Sequence, residues 1–204
     1  MRGPVICCAL FLSPLLIAGA KAQTYKDSIV QYRQQYKKEF LGDPRSPLKA
    51  DDTAYLRFYK ADASYRVSAT LEAKPGGKTF MIPTHSGKLK PYREYGALHF
   101  KLHGKAYTLH AYQSTDSTKK QLAAYLFIPF NDKTNYIETY GGGRYIDIDT
   151  GAVKGNVVIL DFNKCYNPYC AFAGGYSCPI PPDENKLDIA IKAGEKLFGK
   201  KVKE

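Results

Sequence analysis

Between Tyr65 and Gln113 the apolar residues fall at every second position, and this alternation constrains the fold more than any other feature of the chain. Tyr65, Val67, Ala69 and Leu71 alternate with Arg66, Ser68, Thr70 and Glu72. Successive side chains of a strand point to opposite faces, so this is a strand with one wet face. Pro75-Gly76-Gly77 turns the chain into a short strand from Lys78 to Pro83, and Thr84 to Arg93 reads as a polar loop. Ala97 to His103 and Ala106 to Gln113 then flank Gly104-Lys105. Glycine in first place of a two-residue hairpin loop suits a type II′ turn, which pairs His103 with Ala106, Lys101 with Thr108 and His99 with His110. The other face then carries Leu98 against Ala111, Phe100 against Leu109 and Leu102 against Tyr107. One apolar and one polar face support that register. His99 opposite His110 is near enough to share a metal ion, but no Asp, Glu or Cys of the hairpin completes a ligand set, so no metal is expected.

The rest of the chain extends this sheet. Gln121 to Phe130 reads as a longer apolar strand, and Asn131 to Tyr140 as a polar crossing loop. Gly141-Gly142-Gly143-Arg144 leads into a strand at Tyr145-Ile146-Asp147-Ile148. The glycine run lacks the spacing of a phosphate-cradling or dinucleotide loop, and close backbone packing explains it. Val157 to Phe162 is apolar on both faces, which predicts a central strand. A hairpin between it and Arg144 to Ile148 pairs Arg144 with Asp161, since an inward charge needs a partner. Leu187, Ile189 and Ile191 alternate with polar neighbours as a last strand, which Gly194 breaks, and the basic tail after Phe198 frays. Before the sheet, Ile29, Tyr32, Tyr36 and Phe40 recur at helical spacing within residues 25–40, ended by Gly42-Asp43-Pro44. The fold class is therefore mainly β: a single antiparallel sheet, rolled or barrel-like, with an amphipathic N-terminal helix packed on it.

The first residues carry an address. Arg2 precedes a strongly apolar core from Val5 to Ile17, and Ala20-Lys21-Ala22 offers a small-x-small cleavage site before Gln23. This predicts a signal peptide over residues 1–22, an exported (periplasmic or secreted) protein, and one globular domain over residues 23–204 with no membrane span after cleavage. The formal charge is +11, of which the leader contributes the cations Arg2 and Lys21 and no acid. A basic exported domain favours a small anionic or polar partner, or a component of the cell envelope. The lysines are scattered and form no basic stripe interleaved with aromatics, so nucleic acid is not expected. The 17 tyrosines suit half-buried strands and ligand-contacting surfaces.

Candidate chemistry gathers between Asp161 and Glu195, in a long loop rich in Cys and Pro. In an oxidising compartment Cys170 and Cys178 can close a short loop, which the chain-entropy account values at about 2.6 kcal/mol. The competing uses are thiolate metal ligation, for which no C-x-x-C pair is present, and a nucleophile, for which no His follows position 110. Arg144, Asp161, Asn163, Asn167, Glu184, Asn185 and Glu195 are the candidate ligand-binding residues. Asn offers donor and acceptor together, and carboxylates suit cations, amines or sugar hydroxyls. The bland alternative is that they bond nearby backbone in a loop with few ladder bonds. A non-catalytic binding or envelope accessory domain is the first functional class, and a hydrolase using a carboxylate pair such as Asp161 and Glu184 is the alternative. No cofactor is indicated.

Several motifs of the second half are long enough to be specific. They are Thr139-Tyr140-Gly141-Gly142-Gly143-Arg144-Tyr145, Asp161-Phe162-Asn163, Tyr166-Asn167-Pro168-Tyr169-Cys170-Ala171, Cys178-Pro179-Ile180-Pro181-Pro182, Glu184-Asn185 and Ala193-Gly194-Glu195-Lys196. With them the chain resembles, over residues 125–196, a bacterial family catalogued as domain of unknown function 1684. Ser46-Pro47-Leu48 onward fits the family's looser pattern, whereas Cys165 stands where a small apolar residue is usual. The resemblance implies a bacterial source. It supplies no activity, cofactor or catalytic residue. It also implies that a bridge is not the cysteines' only use, because members without a signal peptide keep both.

Overall fold

The structure, a computed structural model, describes the backbone of residues 15–200 and the side chains of residues 23–200. The expected leader therefore lies largely outside the described residues, as does the tail from 201 onward. One helix, α1 (Leu15–Gly42), precedes a single antiparallel sheet. The strands are β1 (Arg66–Ala73), β2 (Thr79–Pro83), β3 (Leu89–Leu102), β4 (Lys105–Ser114), β5 (Tyr125–Phe130), β6 (Arg144–Asp149) and β7 (Val157–Asp161). Their order is β6-β5-β4-β3-β1-β7, with β2 pairing β3, and the sheet curls into a half-barrel. This is the rolled antiparallel sheet with one N-terminal helix that the alternation predicts.

Alternation fills the inner face. Ala69 and Leu71 of β1, Leu98, Phe100 and Leu102 of β3, and Leu109 of β4 meet Leu126, Ile128, Ile146, Val158 and Leu160 in the main core. The helix lays Ile29 and Phe40 inward, and its tyrosines donate to the C-terminal segments: Tyr32 to Lys164 O at 3.0 Å and Tyr36 to Glu195 Oε2 at 2.9 Å. In β3 the register slips between Glu94 and Gly96. A Cβ on Gly96 would lie 2.4 Å from Glu72 O, so only glycine lets β1 approach the bulge.

Several expectations need correction. The β3–β4 turn is His103-Gly104, with φ of 50° and 80°, which is type I′, and it pairs Leu102 with Lys105 and His99 with Thr108. The true register differs from the expected one by two residues, which returns every side chain to the same face. A face argument cannot separate the two. His99 consequently bonds Thr108 and Glu72, each at 3.0 Å, while His110 bonds Glu94 at 2.6 Å, and the two histidines are not opposed. Residues Leu89 to Arg93, expected in a loop, open β3 and pair with β2. Ser117–Ala124 forms 3₁₀ turns capped by Asp116, so β5 starts only at Tyr125. β7 is an edge strand beside β1, with Val157 and Ile159 each 42% exposed. β-branched residues favour strands on either face, and singly exposed ones are ordinary. Leu187 to Ile191 keeps its alternation but forms no ladder: Leu187 N donates to Asn131 O, and Lys133 N to Ile189 O.

Because β7 sits at the far end of the sheet path, Arg144 does not meet Asp161. Asp132 follows β5, and β5 pairs with β6, so Asp132 reaches Arg144 instead. Arg144 Nη2 donates to Asp132 Oδ2 at 2.6 Å, and both side chains are fully buried. The guanidinium also holds the carbonyls of Ala193 (2.6 Å) and Ile191 (2.9 Å), which pins the C-terminal segment under the sheet.

Candidate functional site

The site is built on the sheet face opposite the core. β5 and β6 pair Tyr125 with Asp149, Phe127 with Asp147 and Pro129 with Tyr145. Their alternate residues Leu126, Ile128, Ile146 and Ile148 enter the core, so Tyr125, Phe127, Tyr145 and Asp147 share the outer face. Tyr92 of β3 stacks on Phe127, with ring centroids 5.3 Å apart, and Tyr145 meets Phe127 edge-on at 4.8 Å. On an ordinary half-barrel this face would be open to water. Here the chain beyond β7 doubles back over it, and Tyr145 and Tyr166 exchange backbone hydrogen bonds at 2.9 and 3.0 Å. Residues 166–169 and 176–179 complete the wall of a cleft of about 590 Å³.

The disulfide fixes that wall. Cys170 and Cys178 are bridged, with Cα atoms 6.3 Å apart. The Tyr145 hydroxyl bonds Pro179 O, and Ser177 bonds Ser86 at 2.7 Å, so the loop is tied to β6 and to the β2–β3 turn. Cys165 is free and buried, packed against Gly194, and burial pushes its thiol up to about 11, so it is not a nucleophile at neutral pH.

Two electrostatic features stand out in the cleft. Asp147 lines the cavity with its side chain exposed to solvent. Neighbouring protein pushes its carboxyl upward, and the Tyr166 hydroxyl, which donates to Oδ2, opposes that rise. At the mouth, Arg45, Lys88, Lys90 and Lys119 line the cavity together with Asp116. Arg45 pairs with Asp43 at 3.0 Å and Lys119 with Asp116 at 3.4 Å. Lys88 and Lys90 have no ion-pair partner among the described residues. Burial lowers the Lys90 ammonium below its usual value, and the like charges of Lys119 and Arg45 lower it further.

The residues singled out from the sequence mostly face elsewhere. Of them only Asn167 lines the cleft. Asp161 accepts from Tyr25 Oη at 2.9 Å and from Asn163 N at 3.1 Å, and Arg66 stands 3.9 Å away. Asn163 bonds the backbone of Asp62 at 2.9 and 2.8 Å. Asn185 is fully buried and staples β4 to β5, bonding His110 N and O and Pro129 O. Glu184 accepts from Tyr112 Oη at 2.9 Å. Asp161 and Glu184 share no bonded neighbour, and neither lines the cleft, so they do not form the carboxylate pair that a hydrolase would need. Glu195 is fully buried, accepting from Tyr36 Oη and Asn167 N, and burial raises its carboxyl to about 8. Asp147, Tyr166 and Lys90 were the signal missed. Asp147 alternates with Ile146 and Ile148 on a strand, a pattern that reads as a wet face.

Among the described residues no helix is long and apolar enough to cross a membrane, and among the same residues no group of three or more His, Cys, Asp or Glu is placed to hold a metal ion. The fold and site define a class: a single-sheet half-barrel whose outer face is roofed by a disulfide-tied loop into an aromatic cleft. The chain belongs to the family described as "Protein of unknown function (DUF1684)", whose model matches residues 52–196 and so takes in the sheet from before β1 to the end of the loop. Among solved structures it is similar to the uncharacterized protein from gene locus rrnAC0354 of Haloarcula marismortui, determined by solution NMR. The two are 29% identical, the match covers 87% of this chain and 96% of that one, and the TM-score is 0.65. No curated protein matches the chain.

Proposed function

We propose that the protein is an exported bacterial domain that binds, without catalysis, a small molecule carrying an anionic group on an apolar or aromatic body. The cleft is the binding site. The observation that carries the reading is the unpaired Lys90, half-buried near Lys119 and Arg45 in a cleft that aromatic side chains also line. A desolvated cation crowded by its own sign is stabilised when an anion arrives. Aromatic side chains lining the same cleft accept an apolar body, and the bridged loop holds the wall in place, which limits the ordering cost of binding. Export is supported by the leader-like residues 1–22 and by the use of a disulfide in so short a loop.

Titration calorimetry with phenyl phosphate tests the reading. Wild type is expected to bind, and the double variant K90A/K119A to bind at least about tenfold more weakly, with affinity falling as salt rises. Failure of wild type to bind phenyl phosphate or benzoate, or equal affinity in the double variant, refutes it. Amino-terminal sequencing of the mature protein checks the address, with Gln23 as the expected first residue.

A further inference from the structure

Lys90 is an amine placed where an ammonium is poorly served. Its partner across β2 and β3 is Ile82, which is buried, and strand alternation sets Tyr92 on the same face two residues on. Tyr92 stacks on Phe127 with ring centroids 5.3 Å apart, so the lysine stem leaves the strand among apolar neighbours that offer it no carboxylate. Lys90 is half-buried, and among the described residues it has neither an ion pair nor a side-chain hydrogen bond. Lys88, two residues before it in the same cleft, is also unpaired but exposed. Two cations of the cleft act on Lys90, and each is held by an acid: Lys119 by Asp116 at 3.4 Å and Arg45 by Asp43 at 3.0 Å. Lys90 alone of these three lacks one.

Burial among apolar side chains and the nearness of like charge both favour the neutral form of an amine, and burial is the larger cause at Lys90. A neutral amine is a weak partner for an anion but a good nucleophile, and a carbonyl carbon is the electrophile it meets most readily. Resting on the reading that the cleft takes an anionic group on an apolar body, we propose that Lys90 is a covalent capture site: its ε-amine condenses reversibly with an aldehyde or ketone whose carboxylate or phosphate is held by Lys119 and Arg45. The amine lone pair forms the C–N bond, the carbonyl C–O bonds break, and the oxygen leaves as water with the two amine hydrogens. No oxidant or reductant is consumed. The imine nitrogen takes a proton from water and becomes cationic, so the anion still faces positive charge after the bond has formed. Water reverses the step, so capture is binding and not turnover.

The compound para-formylbenzoate carries the aldehyde, the ring and the anion, and cyanoborohydride reduces any imine it forms to a stable secondary amine. Peptide mass mapping of the wild-type protein at short times is expected to find the label on Lys90 at least about tenfold faster than on Lys88. Lys88 shares the cleft, so nearness to a bound aldehyde would by itself label both. The methyl ester of the reagent lacks the anion and is expected to show a smaller preference for Lys90, and excess phenyl phosphate is expected to slow labelling by the acid. Equal labelling of Lys90 and Lys88 overturns the capture site, and calorimetric binding of phenyl phosphate in that case leaves the anion site standing. An equal preference for Lys90 with acid and ester overturns the anionic class of the ligand. Absence of both the label and phenyl phosphate binding overturns both readings.

Discussion

Glu195→Gln is expected to remove a pH dependence from the stability of the fold. The carboxyl is fully buried: Oε2 accepts from Tyr36 Oη at 2.9 Å and from Asn167 N at 2.8 Å, while Oε1 has no hydrogen-bond donor. Asn167 Oδ1 is likewise buried without a donor, and the Asn167 side chain acts directly on the carboxyl. A proton on Glu195 supplies the donor that both oxygens lack. Desolvation favours the same neutral form and raises the carboxyl from 4.5 to about 8. The folded value lies above the unfolded one, so the folded chain keeps a proton that the unfolded chain releases as pH rises through 4.5. Stability from this group is complete below that pH, declines through neutrality, and is lost once pH passes about 8. The slope is about 1.4 kcal/mol per pH unit, so roughly 2–3 kcal/mol between pH 5 and 7. Glutamine mimics the neutral acid, accepting from Tyr36 and Asn167 N and offering a donor of its own. Urea unfolding of both proteins at pH 5, 6 and 7 gives the two slopes, and subtracting them removes the contributions of the histidines and Asp147. E195Q is expected to gain on wild type by about the amount above across that range. Parallel slopes refute a protonated Glu195.

Three further outcomes follow from the packing. Arg144→Met strips Asp132 of its buried partner and frees two pinned carbonyls, so urea unfolding is expected to show a loss of about 3–5 kcal/mol, and a loss under about 1 kcal/mol contradicts the buried pair. The double variant C170S/C178S is expected to lose about 2.6 kcal/mol relative to oxidised wild type, and a wild-type midpoint unchanged by reductant would contradict the bridge. Gly96→Ala forces β1 away from the bulge and is expected to cost roughly 1–3 kcal/mol, whereas Gly174→Ala, in open space, is expected to be silent in the same melt.

Periodicity carried the fold as far as periodicity can. The faces of β1, β3 and β4 were legible because an alternating pattern has one energetically acceptable orientation against a core. The hairpin register was not, because a slip of two residues preserves faces, and His103 accepts a positive φ that Gly104-Lys105 made unnecessary to suspect. The place of β7 was hidden for a related reason. Val157 and Ile159 look like core residues, yet they are half-exposed at an edge, and composition does not distinguish the two sites.

The candidate site was concealed by a different physical rule. Acids and amides stood out in the C-terminal loop because they are dense there. A loop with few ladder bonds must satisfy its own backbone, and Asp161, Asn163, Asn167, Asn185 and Glu195 are turned inward to do that. Their density marks how the loop is held. Asp147 looked unremarkable because an acid alternating with Ile146 and Ile148 is what a solvated strand face displays. It gains a partner from beyond the sheet only because the loop those amides hold in place runs along that face and brings the Tyr166 hydroxyl to the exposed carboxylate. The two groups of residues thus act in sequence. The inward amides and the bridge fix the loop, and the loop sets Tyr166 beside a surface carboxylate in the lining of the cleft.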